Sequence, residues 1–159
     1  MEIAVKLLAD GLMMPIVLIA GYALIWRAPA RHRYDIYTYI FMAGISSYML
    51  AKFTGALWQP EVRRPFEELG VSAGAAYLNN PGFPSDHTLF AGFLTLAVWY
   101  ATKNVRLTIL MAVLALLVAV GRVVALVHTP LDVVGGFVFA LLGASWYLLH
   151  TAQAKKKSH

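Results

Sequence analysis

Apolar residues along this chain fall into five long blocks, separated by three short polar joints and one long one. The blocks run from Leu12 to Trp26, Ile36 to Leu50, Thr88 to Ala101, Leu107 to Val120 and Leu131 to Leu149. Each is continuous instead of alternating and too long for a buried strand, so each predicts a helix that crosses a bilayer. The first two fall short of the roughly 20 apolar residues a span needs, and flanking Tyr and Trp residues extend them at the interface. Ahead of the first block, Glu2, Lys6 and Asp10 recur every four residues and share one helical stripe, with Ile3, Val5, Leu7 and Leu8 off it. This predicts an amphipathic interfacial helix leading into span one. A signal peptide is not expected, because acids stand at both ends of this stretch and no small-residue cleavage site is evident. With no internal repeat or low-complexity tract, residues 1–159 read as one domain. The expected fold is all-α, a polytopic transmembrane bundle of about five spans plus the N-terminal amphipathic helix.

Composition strengthens this picture. Of the 159 residues, 60% are hydrophobic and 13% are charged, well outside the range of soluble domains. The lack of Cys excludes a disulfide framework, a thiolate metal site and a cysteine nucleophile. The formal charge of +5 alone would suit nucleic acid. The basic residues, however, lie in short runs between apolar blocks, where lipid head groups and topology account for them, and no nucleic-acid partner is expected. Alternating spans gather Arg27, Arg31, Arg33, Lys103, Arg106, Lys155, Lys156 and Lys157 on one side, eight of the thirteen Lys and Arg residues. The other side holds Lys6, Lys52, Arg63, Arg64 and Arg122. The positive-inside rule then makes the first side cytoplasmic and turns the long polar connection, residues 53–86, outward.

The remaining chemistry gathers on that outer side at span ends, where ionisable groups are costly and mark function. In FPSDHTLF, Ser85 is a candidate N-cap that leaves the backbone N–H groups of Asp86, His87 and Thr88 at a positive helix end suited to a phosphate. The same residues equally make an ordinary helix start, with Asp86 a dipole-favoured acid and His87 interfacial. In GRVVALVHTPLDVVGG, Thr129 is the cap, Pro130 the first helical residue and Asp132 the third. Capping explains neither His128 nor Arg122, six residues before His128 at the end of an apolar span. An acid near an imidazole fixes its tautomer and stabilises positive charge on it, as a nucleophilic histidine needs. The competing reading makes Asp132 a capping acid and lets Arg122 snorkel to head groups. Lys52, Arg63 and Arg64 form a third group, suited to phosphate or to acidic lipid, with Glu61, Glu67 and Glu68 opposing them.

Together the three groups resemble the signature of the type 2 phosphatidic acid phosphatase superfamily, K-x6-RP, then PSGH, then SR-x5-H-x3-D. Here the third motif reads GR-x5-H-x3-D at Gly121, Arg122, His128 and Asp132, the second is PSDH at residues 84–87, and Arg64-Pro65 ends the first. The resemblance covers about residues 52–136. Eleven residues separate Lys52 from Arg64 where the pattern has six, and Gly121 stands where the family usually has Ser, removing a hydroxyl contact to phosphate. PSDH in place of PSGH is similar to the bacterial undecaprenyl-diphosphate phosphatases associated with bacitracin resistance. Five spans where family members commonly have six suggest one N-terminal helix fewer.

The resemblance implies an integral membrane lipid phosphatase, in a bacterial or archaeal cytoplasmic membrane with its site facing outward. Undecaprenyl diphosphate, converted to undecaprenyl phosphate, is the substrate it points to. Phosphatidic acid or phosphatidylglycerol phosphate are the alternatives within the class, and a non-catalytic phospholipid-binding protein is the alternative outside it. In the implied roles His128 is the nucleophile, Asp132 orients it, and His87 protonates the leaving oxygen. Arg64, Arg122, Lys52, Ser85 and Arg63 bind phosphoryl oxygens. Asp86, a carboxylate that phosphate repels unless it pairs with Arg63 or Arg64 or stays protonated, is expected to act in specificity or proton handling. No metal or other cofactor is expected, because the cationic side chains take the metal's part, and two histidines with two acids suit magnesium poorly.

Overall fold

The computed structural model describes residues 2–60, 63–78, 80 and 82–157, with side chains described as far as Ala152. Glu61, and the side chains of the tail lysines Lys155, Lys156 and Lys157, lie outside the described set. The first helix, α1, runs over Glu2–Arg27 without a break, so the amphipathic start and span one form a single element. Pro15 has no N–H to return to the carbonyl of Gly11, and the backbone widens into a π turn over Leu7–Gly11 just before it. Pro29 ends the chain's first crossing, a short 3-10 turn follows, and α2 spans Arg33–Leu57.

The long connection carries one short helix, α3, Pro65–Glu68, with proline at its first position and Glu67 accepting from the Arg64 N–H at 2.8 Å. Then come α4 over Asp86–Thr102, α5 over Val105–Val124 capped by Asn104, α6 over Pro130–Gly143 capped by Thr129, and α7 over Ser145–Lys157. All five apolar blocks are helical, and among the described residues there is no strand. Four helices are long and apolar enough to cross a membrane: Glu2–Arg27, Ala30–Leu57, Val105–Val124 and Pro130–Ala152. The remaining block, α4, has 17 residues. At 1.5 Å per residue it reaches about 26 Å, a little less than the hydrocarbon core.

What α4 lacks in length it makes up in burial. It packs against α6 and α5, and also touches α1 and α2, so it forms the axis of the bundle. Its small residues Ala91, Gly92 and Ala97 sit beside Leu94 and Val98 in the core, with Ile16 and Ala20 of α1 and Met111 and Val118 of α5. Small residues let membrane helices approach closely where no hydrophobic effect drives them together. One such approach joins two helix starts. A Cβ at Gly136 of α6 would lie 2.7 Å from the Ser85 carbonyl and 2.8 Å from the Leu89 nitrogen, so glycine brings the starts of α4 and α6 side by side.

The bundle therefore has two chemically distinct ends. One holds the end of α1 and the starts of α2 and α5, with Tyr100 and Tyr147 stacked at 4.2 Å. The other gathers the starts of α1, α4 and α6, the end of α5 and the long connection. Every buried charged residue among those described, Arg64, Arg122 and Asp132, lies at that second end, together with buried His128.

Candidate active site

At the start of α6, Thr129 Oγ1 accepts from the Asp132 N–H at 3.3 Å, and Asp132 Oδ2 accepts from the Thr129 N–H at 2.8 Å. The same Oδ2 lies 3.3 Å from His128 Nδ1. Capping and histidine orientation are thus one carboxylate's work, and the two readings of Asp132 do not compete. With Nδ1–H given to Asp132, Nε2 of His128 keeps its lone pair. His128 is 4% exposed. Burial pushes its imidazole below the ordinary value, with the Arg122 and Arg64 guanidiniums acting in the same direction and Asp132 opposing them. The ring is accordingly neutral near neutral pH.

The start of α4 differs. The Ser85 N–H donates to the Asp132 carbonyl at 2.9 Å and Thr88 Oγ1 to the Val133 carbonyl at 3.2 Å, knitting the two helix starts together. The Ser85 hydroxyl, expected as a cap, makes no capping bond. It is fully buried and has no hydrogen-bond partner among the described residues. Asp86 is not paired with Arg63 or Arg64. It turns to Lys52, whose Nζ lies 2.7 and 2.8 Å from its two oxygens. This brings Lys52 to the site's rim despite the long spacing to Arg64. His87 turns inward, and its Nε2 stands 3.5 Å from Asp10 Oδ1.

Arg122, 2% exposed, projects from the last turn of α5 and does not snorkel. Its Nη1 donates to Asp10 Oδ1 at 2.7 Å and to the Ala76 carbonyl at 2.8 Å, while its Nε is buried without a partner among the described residues. Arg64 is held by backbone: Nη1 donates to the Val127 carbonyl, and Nη2 to the carbonyls of Leu78 and Asn80 at 3.2 and 3.1 Å and to Asn80 Oδ1 at 3.1 Å. Its guanidinium also lies over the Tyr77 ring. Arg63 stays exposed, outside this buried group.

Eight of the nine candidate residues therefore meet at one end of the bundle, and Arg63 does not join them. Asp10 does, although its place on an interfacial stripe gave it no such role. A carboxylate between Leu7, Leu8, Ala9 and Leu12 at the mouth of a span needs a partner, and that signal pointed to it. Among the described residues no group of three or more His, Asp or Glu is placed to hold a metal ion.

The arrangement is a neutral, oriented imidazole near guanidinium groups and a hydroxyl without a partner among the described residues, with a second imidazole alongside. Such a constellation can attack phosphorus and stabilise the charge that develops on phosphoryl oxygens. The family model of the PAP2 superfamily matches residues 17–156. No curated protein and no solved structure matches the chain.

Proposed function

This chain belongs to the PAP2 superfamily, and from that premise we propose that it hydrolyses undecaprenyl diphosphate to undecaprenyl phosphate through a phosphohistidine at His128. Membership implies a membrane phosphatase acting on lipid phosphates. The observation that carries the proposal is the buried His128–Asp132 pair together with two buried groups that have no partner among the described residues and suit a phosphoryl group, Ser85 Oγ and Arg122 Nε.

A second feature favours a lipid over a soluble phosphate. An apolar groove of about 1300 Å³ runs between α1 and α2, lined by Met13, Val17, Ile40, Phe41 and Phe90 and ending at Asp86 and His87. A hydrocarbon tail lying there puts its phosphate at the start of α4. A diphosphate brings a second anionic group, and Lys52, held at the rim by Asp86, supplies a cation on that side of the site.

In the reaction, His128 Nε2 attacks the terminal phosphorus. The P–N bond forms as the P–O bond to the lipid phosphate breaks, and His87 gives its proton to the leaving oxygen. Asp132 holds the Nδ1–H and stabilises the positive ring. Water then attacks the phosphohistidine, His87 takes back a proton, and inorganic phosphate leaves with His128 restored. Arg64, Arg122 and Ser85 hold the phosphoryl oxygens throughout. The site faces outward from the membrane, following the side with fewer basic residues.

The test is phosphate release by the detergent-purified protein from undecaprenyl diphosphate, phosphatidylglycerol phosphate and phosphatidic acid, with and without EDTA, beside His128→Ala. The expected result is release that survives EDTA, disappears in the variant and is fastest from the diphosphate. Faster release from either monophosphate replaces the substrate, and binding without release replaces catalysis with a lipid-holding role.

A further inference from the structure

We propose that Asp10 is a positioning residue for this reaction, holding Arg122 and the leaving-group acid His87 in register, and that residue 121 is glycine so that the helix carrying Asp10 can reach the site. The inference rests on the phosphatase reading above.

Three independent observations meet at Asp10. Its carboxylate is shared among three elements: Oδ1 accepts from Arg122 Nη1 of α5 at 2.7 Å and lies 3.5 Å from His87 Nε2 of α4, while Oδ2 accepts from the Ala76 N–H at 2.9 Å. It sits in the π turn Leu7–Gly11, the one place where α1 departs from α-helical winding before Tyr22. Such turns commonly aim a side chain at a functional site. The neighbouring Ala9 is fully buried against α5, where a Cβ on Gly121 would lie 2.6 Å from the Ala9 nitrogen and 2.7 Å from the Leu8 carbonyl carbon. No serine fits there without moving α1. The hydroxyl that the motif usually places beside the arginine is exchanged here for a carboxylate arriving from another helix. Asp10 lies outside residues 17–156, so the family match does not cover it.

The chemistry explains what a carboxylate does in an anion site. By occupying Nη1, Asp10 fixes the guanidinium plane and leaves Nε for the ligand. The charged or titratable groups that act on His87 are Arg122, Asp10, His128 and Asp86, the last paired with Lys52. Burial first, then Arg122, hold the His87 imidazole down, to about 4, with His128 acting the same way. Asp10 is the largest influence opposing them, so it favours the protonated ring that the departing oxygen needs.

The test separates this role from simple support by varying the leaving group. Turnover of a long-chain alkyl phosphate, whose alkoxide needs a proton, is compared with that of p-nitrophenyl phosphate, whose phenolate does not. Asp10→Asn keeps an acceptor for Arg122 and is expected to lower kcat on the alkyl ester by about 10- to 100-fold, within the range of general acid catalysis. On the aryl ester the loss is expected to stay under about 3-fold, with KM little changed on both, because the general acid contributes little there. Asp10→Glu should recover part of the loss, and Gly121→Ala, which displaces Ala9, should reproduce it. Should Asp10→Asn not fold, Gly121→Ala decides alone. Equal losses on both esters, or no loss on either, overturn the positioning role while leaving the phosphatase reading intact. A wild-type protein that cleaves only the aryl ester has no working acid and overturns it too. One that releases phosphate from neither ester nor from undecaprenyl diphosphate overturns both.

Discussion

Two helix starts face each other across the site, and they carry similar sequence grammar with opposite outcomes. At Thr129-Pro130-Leu131-Asp132 the cap closes on itself, hydroxyl to N–H and carboxylate to N–H, and the spare reach of Asp132 Oδ2 goes to His128. At Ser85-Asp86-His87 the hydroxyl has no partner among the described residues, the acid swings out to Lys52, and the histidine turns in. The α6 start is built to be rigid before any ligand arrives, which suits a nucleophile that must be held in one tautomer and direction. The α4 start keeps its Ser85 hydroxyl unspent among the described residues, which suits the part that binds. A cap therefore signals chemistry through the bonds it omits as much as through those it makes.

The largest break in this contrast comes from Asp132. Asp132→Asn removes the acceptor that fixes the His128 tautomer and is expected to lower kcat by about 10²- to 10⁴-fold, read from steady-state phosphate release. Next comes the pair of hydroxyls. Ser85→Ala is expected to lower kcat/KM about 10-fold, as a lost phosphate contact, while leaving thermal stability unchanged or slightly raised, since it removes a buried group without a partner. Thr129→Ala is expected to cost about 1 kcal/mol of stability as a lost cap. Matching stability losses in the two variants would erase the distinction between the starts.

The pH profile sharpens it further. Protonation at Nε2 removes the nucleophile, so activity falls as pH drops through the value for His128. Burial sets that value below the ordinary imidazole range, so the acid limb of kcat/KM is expected below about pH 6.5. A limb above that point would place the nucleophile in a more solvated setting than the α6 start provides. The smallest effect belongs to Asp86. Asp86→Gly releases Lys52 and is expected to change the ratio of diphosphate to monophosphate turnover by about 3- to 10-fold, about one kcal/mol of discrimination.

Much of this was legible in the chain because it is local. Continuous apolar blocks announce membrane helices without reference to distant residues, and all five are helical. The His128–Asp132 relation is one helical turn long, so spacing alone sufficed. What sequence did not reveal depends on packing across the bundle. Arg122 meets Asp10 across 112 residues, and Lys52 meets Asp86 across 34. Neither pairing leaves a periodic trace, and the four-residue spacing of Glu2, Lys6 and Asp10 supplied a simpler explanation that masked the first. Even Gly121, legible as a departure from a motif, made sense only once Ala9 was found packed against it.

The central claim is that His128 carries the phosphoryl group. The most direct measurement is an alkaline quench of the protein turning over its preferred lipid phosphate, followed by mapping of the phosphorylated peptide. The account predicts an acid-labile phosphoryl group on the peptide containing His128, absent in His128→Ala, which releases no phosphate. Turnover that persists in His128→Ala, or a phosphoryl group on another residue, would contradict it.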